Sequence, residues 1–319
     1  MRKVFLESYG VELDFPGYYY SDSKFVPNNP DYIVSLSWHI IPPGKNKQVQ
    51  TTLVNKTYKD DPFEDLYTTK GKDMILKLIK PLKTRVFQII DEIQLFRIQK
   101  CFIAFSKPGN LFGIYDIKTK TINIYVAKDI KKCFKNIADG NTFLKFQIDD
   151  ENFEEADKLI FDRHEKFVAV SSQTQIIFFA INKSRDRTPV MNFTINFEKY
   201  ERILDIMLDS KFDASEKRNN GKKFKCYVAC KQGFSRRMID IFEIQDDLNK
   251  RDNLRSILYQ QNGKKLMAKI SDDADKVVFS NGVEHYILKG KSQDFFPQIG
   301  DKTVRYCYYH GSDFFFVNS

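Results

Sequence analysis

Four times in this 319-residue chain an apolar run closes on an aromatic residue two places before an aliphatic one: Tyr115-Asp116-Ile117, Phe179-Ala180-Ile181, Phe242-Glu243-Ile244 and Tyr286-Ile287-Leu288. Each is preceded by a second short run dense in Val, Ile, Phe and Cys, starting at Lys100, Lys166, Phe224 and Lys276. The links between the two runs are Lys107-Pro108-Gly109-Asn110, Gln173-Thr174, Lys231-Gln232-Gly233 and Asn281-Gly282, all of hairpin chemistry. Upstream of each pair lies a further strand-like run (IQLFRI, KLIFD, RILDIML, KLMAKIS), and in three copies a fourth follows downstream (TINIYV, VMNFTINF, LRSILYQ). The repeated unit is therefore four short antiparallel strands, with aromatic markers at 115, 179, 242 and 286.

The last two markers are 44 residues apart, near the period of ~40–45 residues of four-stranded propeller blades. Two inserts, 128–157 and 210–222, account for the longer intervals of 64 and 63 residues. Strands at this spacing also fit a β-sandwich or two stacked β domains. In YDIKTKTINIYV and KLIFDRHEKFVAVSSQTQIIFFAIN the chain resembles the WD40-type β-propellers over roughly residues 92–319, with Tyr115-Asp116 in place of the Trp-Asp pair and His164-Glu165-Lys166 at a turn. The resemblance implies an all-β fold, a single propeller of about six blades over 1–319. The run VRYCYYHGSDFFFVNS supplies two strands of an incomplete blade, which the N-terminal runs KVFLES and VELDF would close, leaving no open sheet edge. A truncated longer protein is the competing explanation. YIVSLSWHII and VQTTLVNKTY form the core of another blade.

Two segments read differently. In DIKKCFKNIADG, Ile130, Cys133, Phe134 and Ile137 follow the i, i+3, i+4, i+7 spacing of an amphipathic helix, with Asp129 as its N-cap, Gly140 as its stop and Lys128, Lys131, Lys132 and Lys135 along its polar side. In GKDMILKLIKPL, Met74, Ile75, Leu78 and Ile79 suggest a second short helix halted by Pro81, with an alternating strand as the other reading.

A net charge of +9, from 51 Lys and Arg against 42 Asp and Glu, favours acidic partners without naming one. No run approaches the ~18–20 apolar residues of a membrane helix, and Glu7 interrupts any N-terminal signal-like stretch. Five cysteines, an odd number, do not make a disulfide framework. A cytoplasmic or nuclear protein with reduced thiols and no membrane association is expected.

Chemistry is sparse. His39, His164, His285 and His310 stand singly, outside any metal-ligand spacing. Cys226 and Cys230, on one strand, lie too far apart to share a metal and suit packing. Phosphate-loop and nucleophile-elbow patterns are missing, and DDENFEEAD lacks the turn glycine of a calcium loop and reads as a solvated insert. The expectation is a non-catalytic scaffold subunit of a larger complex, without cofactor or metal, contacting other protein subunits through 128–157 and 210–222. An accessory RNA- or DNA-binding subunit is the alternative. The candidate contact residues are Lys128, Lys131, Lys132, Lys135, Lys217, Arg218, Arg236 and Arg237. Strand connectivity sorts these between the two ends of the sheets, with Lys217 and Arg218 at one and the 128–135 helix and Arg236-Arg237 at the other.

Overall fold

The computed structural model describes residues 4–6, 11–13, 18–39, 74–83, 86–95, 98, 100–150, 153, 156–181, 192–197, 200–209, 211–212, 222–223, 225–232, 238–244, 251–258, 267–270, 276–280, 285–289, 292–296, 304–310 and 313–318. The chain divides into two compact units, 1–149 and 150–319.

In the first unit β1 (Val4–Leu6) pairs with β2 (Val11–Leu13). The first four-stranded sheet follows, β3 (Tyr18–Phe25), β4 (Ile33–His39), β5 (Met74–Lys83) and β6 (Val86–Leu95), hydrogen-bonded in that order. The second sheet comprises β7 (Cys101–Phe105), β8 (Leu111–Asp116), β9 (Thr121–Val126) and β10 (Leu144–Gln147), with the helix α1 (Ile130–Ala138) between its third and fourth strands. All pairings are antiparallel.

The second unit repeats the plan. Its sheets are β11 (Lys158–Phe161), β12 (Phe167–Ser171), β13 (Gln175–Ala180) and β14 (Asn192–Asn196), and then β15 (Tyr200–Leu208), the edge of a sheet whose other three strands lie beyond a small hairpin of β16 (Lys211–Phe212) and β17 (Lys222–Lys223). Those three are β18 (Cys226–Gln232), β19 (Met238–Ile244) and β20 (Arg251–Leu258). A further sheet holds β21 (Met267–Ile270), β22 (Lys276–Ser280), β23 (His285–Lys289) and β24 (Ser292–Phe296), and β25 (Val304–His310) pairs with β26 (Asp313–Asn318).

Burial shows how the sheets stack. Successive strand residues point to opposite faces, and β18 is buried on both: Cys226, Val228 and Cys230 join a core with Ile176, Phe178 and Ile195 of the preceding sheet, while Tyr227 and Ala229 join one with Ala268, Ile270 and Val277 of the following sheet. In the first unit Val34, Leu36, Leu76 and Leu78 pack with Ile103, Phe112 and Ile114 of the next sheet. A two-layer sandwich would leave the outer face of each sheet to solvent. Consecutive four-stranded meanders, stacked face to face in chain order, are the build of a β-propeller.

Three expectations change. The 74–81 segment is strand β5, not helix: its even positions face the core and its odd ones the opposite side. Pro81 is tolerated because β5 pairs with β4 only over Ile75–Ile79, so beyond that point its missing N–H costs no bond on that side. IQLFRI does not open the second sheet, since residues through Leu95 finish β6, and the fourth strand of that sheet is Leu144–Gln147, inside the expected insert. The last copy has its fourth strand at Ser292–Phe296. The run 49–58 lies outside the described residues.

Candidate interaction surface

Helix α1 begins where the sequence places it. Asp129 holds extended backbone and its carboxylate accepts from the N–H groups of Lys131 and Lys132 at 3.0 and 3.2 Å, satisfying two of the donors that a helix start leaves open. The helix stops at Gly140, whose φ of +70° suits glycine and whose N–H bonds back to the Ile137 carbonyl. Ile130, Cys133, Phe134 and Ile137 are buried in the first-unit core, with Ile90 and Ile93 of β6 packed against it.

Lys128, Lys131, Lys132 and Lys135 are exposed. Among the described residues no ion pair or hydrogen bond engages any of the four ammonium groups. Three of these cations sit at or just before the first turn, which holds no acidic residue, although the partial positive charge of a helix start favours acidic side chains there by a few tenths of a kcal/mol. Helix stability therefore does not explain the placement of these three, whereas Lys135 lies in the last turn, where the helix favours a cation.

The approach to the helix is fixed by Asn28, in the turn after β3. Its Nδ2 donates to the carbonyl of Gly109 at 3.0 Å and to that of Lys128 at 3.4 Å. Ala127 N–H also bonds the Asn110 carbonyl at 2.7 Å. The sequence offers no signal for Asn28, because its partners are 81 and 100 residues away. The structure thus brings the four lysines together on one anchored element, at the end of the second sheet that also carries the β7–β8 turn.

That placement corrects the sorting of charges by connectivity. Because α1 joins the third strand of its sheet to the fourth, it leaves the same sheet end as a first-to-second link, the class that holds Lys217 and Arg218 between β15 and β18. Arg236 and Arg237 belong to a second-to-third link, the other class. Lys217, Arg218, Arg236 and Arg237 themselves lie outside the described residues. The 128–157 segment is also not a detachable insert, since it contains β10. Nor is its acidic part simply solvated, because Phe153 and Ala156 are buried.

The carboxylates near the repeat markers serve the fold. Asp116, after Tyr115, accepts from Lys118 N–H at 3.0 Å and Thr119 Oγ1 at 2.6 Å, closing the β8–β9 turn. Asp162 accepts from the N–H groups of His164 and Lys166, around Glu165 with its φ of +57°. His164 lies 3.2 Å from Asp209 through Nε2. Cys101, Cys133, Cys226 and Cys230 are buried thiols outside any disulfide, in keeping with packing roles. Among the described residues no three His, Cys, Asp or Glu side chains converge as a metal site, and no helix is long and apolar enough to cross a membrane.

No family model matches the chain, and no curated protein matches it. Among solved structures it is similar to Kluyveromyces lactis Hsv2, with a TM-score of 0.48 at 10% identity over 94% of this chain and 70% of that one. It is similar to the WD40 domain of Toxoplasma gondii coronin, with a TM-score of 0.45 at 10% identity over 89% of this chain and 60% of that one. A third similarity, to the fission yeast SREBP-SCAP binding domains, has a TM-score of 0.40 at 12% identity and spans 65% of this chain and about half, 52%, of the other. With each of these scores below 0.5, the fold rests on the sheet order and two-sided burial of the chain itself, which have the blade plan of a β-propeller.

Proposed function

We propose that the chain is a non-catalytic interaction scaffold, a subunit of a larger cytoplasmic or nuclear assembly, and that the lysine face of α1 is one of its partner contacts. One observation carries this reading: Lys128 beside the start of α1 and Lys131, Lys132 and Lys135 on it are exposed and, among the described residues, their ammonium groups have no partner, while the other face of the helix is locked into the core and the three cations at its start stand against the helix's own electrostatic preference. Rigid display of uncompensated charge speeds encounter with an oppositely charged partner and sets its orientation.

The test is charge reversal, Lys128→Glu, Lys131→Glu, Lys132→Glu and Lys135→Glu together, in the tagged full chain. Recovery of its co-purifying partner should fall at least tenfold while the thermal midpoint stays within a few degrees. Unchanged recovery would overturn the reading.

The same lysines, with the net charge of +9, support a second reading as an accessory nucleic-acid-binding subunit. Affinity for a labelled oligonucleotide would then fall steeply between 50 and 200 mM salt, roughly as the power set by the number of phosphates neutralised.

A further inference from the structure

The lysines of α1 are spaced to repel one another. Lys131 and Lys135 stand four residues apart on the helix, and Lys132 and Lys135 three. These spacings make side chains neighbours, with about 5–6 Å between their Cβ atoms, and like charges there weaken a helix where opposite charges would support it. No acidic residue lies within α1, whose apolar positions turn inward and whose charged positions are all lysine. The three lysines are exposed, and among the described residues none of their ammonium groups has a hydrogen bond or ion pair.

The chemistry around these lysines limits what can occupy them. The N–H groups of Lys131 and Lys132 already bond the Asp129 carboxylate at 3.0 and 3.2 Å, so an anion here meets ammonium groups and not the amides of the helix start. An ammonium is a compact charge on a flexible stem, without the planar fork by which arginine clasps a phosphate. No arginine occurs between residues 100 and 150. The stripe is also short. Four residues beyond Lys135 stands the exposed Asp139, and a phosphate backbone continuing along the helix would carry its charge onto that carboxylate. Tyr125 and Phe134, the rings nearest in sequence, are buried and offer no face on which a base could stack.

We propose that Lys131, Lys132 and Lys135 hold a short acidic segment of a protein partner, laid extended along α1 with acidic residues at alternate positions; the proposal rests on the interaction-scaffold reading of the chain. The helix rises about 6 Å between Lys131 and Lys135. In an extended segment alternate side chains share a face and recur about every 7 Å. Two carboxylates two residues apart therefore meet two ammonium groups one turn apart, with Lys132 beside Lys135. Bound carboxylates replace a repulsion between lysines with charge-assisted hydrogen bonds. Because Ile130, Cys133, Phe134 and Ile137 hold the opposite face in the core, the helix is set in place before the segment arrives, and binding stabilises it further.

The experiment titrates the peptide acetyl-Ser-Glu-Ser-Glu-Ser-Glu-Ser-amide into the isotopically labelled full chain at constant low ionic strength, following the backbone N–H signals and hydrogen exchange of α1. Expected are saturable shifts at Lys131, Lys132 and Lys135 and slower exchange across the helix. Affinity should be about fivefold weaker or more in the triple variant Lys131→Gln, Lys132→Gln, Lys135→Gln, and unchanged in Lys145→Gln, which alters an exposed lysine on β10 of the same sheet. Glutamine keeps the helix propensity of lysine, so the triple variant retains the fold. The peptide should bind more tightly than tetrathymidylate without terminal phosphates, which carries the same negative charge. The proposal is overturned by absent shifts, by an equal loss of affinity in Lys145→Gln, or by tighter binding of the oligonucleotide. If charge reversal of the four lysines lowers partner recovery while the peptide leaves α1 unchanged, the acidic segment is refuted and the α1 contact stands, so the two readings fail separately.

Discussion

The Tyr200 hydroxyl donates to Oδ2 of Asp240 at 3.1 Å, tying the first strand of its sheet to the third. The same carboxylate accepts from Gln232 Nε2 at 2.5 Å and from Ser256 Oγ at 2.6 Å, so one buried acidic group gathers a side chain from each of the other three strands, β15, β18 and β20. Asp240→Ala leaves three donors without their acceptor and should cost about 3 kcal/mol. Tyr200→Phe removes one donor and should cost about 1 kcal/mol. Urea unfolding should show both as shifts of the midpoint at constant slope.

Two turns test backbone conformation in opposite directions. Lys120, at the β8–β9 turn, has a φ of +52°, which glycine adopts without strain. Lys120→Gly should stabilise the protein by up to about 1 kcal/mol. Gly109 has a φ of +73° and a Cβ there would lie 2.9 Å from the backbone nitrogen of Asn28. Gly109→Ala should therefore destabilise by about 2 kcal/mol or more, and both changes are measurable as shifts in thermal midpoint.

At the start of α1, Asp129→Ala removes the acceptor of two helix N–H groups. The expected loss is about 1 kcal/mol. Hydrogen exchange should quicken most at Lys131 and Lys132, while exchange in β8 stays unchanged.

Alkaline pH should weaken the first unit. Burial, aided by the Asp129 charge, pushes the Cys133 thiol up to about 12, and burial does the same to Tyr125 and Tyr115, helped by Cys133 and Asp116 respectively. The folded chain holds these protons after the unfolded chain has released them, so stability is fully present below about pH 9 and is lost progressively as pH rises toward 12. Cys133 alone contributes up to about 4 kcal/mol of this loss at the upper end. Cys133→Ala should flatten the slope of stability against pH between 9 and 12, and the native thiol should react with a disulfide reagent at pH 8 only as fast as the protein opens.

Local chemistry made parts of this structure readable in advance. The strands of the two sheets from Lys158 to Leu258 follow the sequence runs closely, because they are short runs rich in β-branched and aromatic residues bounded by polar turn residues, whether burial alternates along them, as in β11, or is continuous, as in β12. Helix α1 was legible down to its cap and stop. Where both faces of a strand are covered, that alternation vanishes: Met74–Ile79 is nearly continuous apolar sequence, which fits a helix as well as β5 does. The offset of the second sheet had a related origin, since nothing in IQLFRI itself says which neighbour it will pair with, and only the β9–β10 register, Leu144 opposite Ile124, settles it. The four lysines were found as a helix face. The ion pairs of Asp205 with Lys158 and Lys269 were not, because 47 and 64 residues separate their members and only the stacking of three sheets joins them.

The pairing of Lys211 with Lys223 and of Phe212 with Lys222 sets the two stems of the 213–221 connection side by side. Neighbouring strands lie about 5 Å apart, and closing a longer flexible connection costs only about 0.6 kcal/mol for each doubling of its length. An epitope, a fluorophore-binding tag or a whole foreign domain with adjacent termini can therefore be grafted between Phe212 and Lys222, giving the molecule a handle whose attachment does not pull on the sheet beneath it.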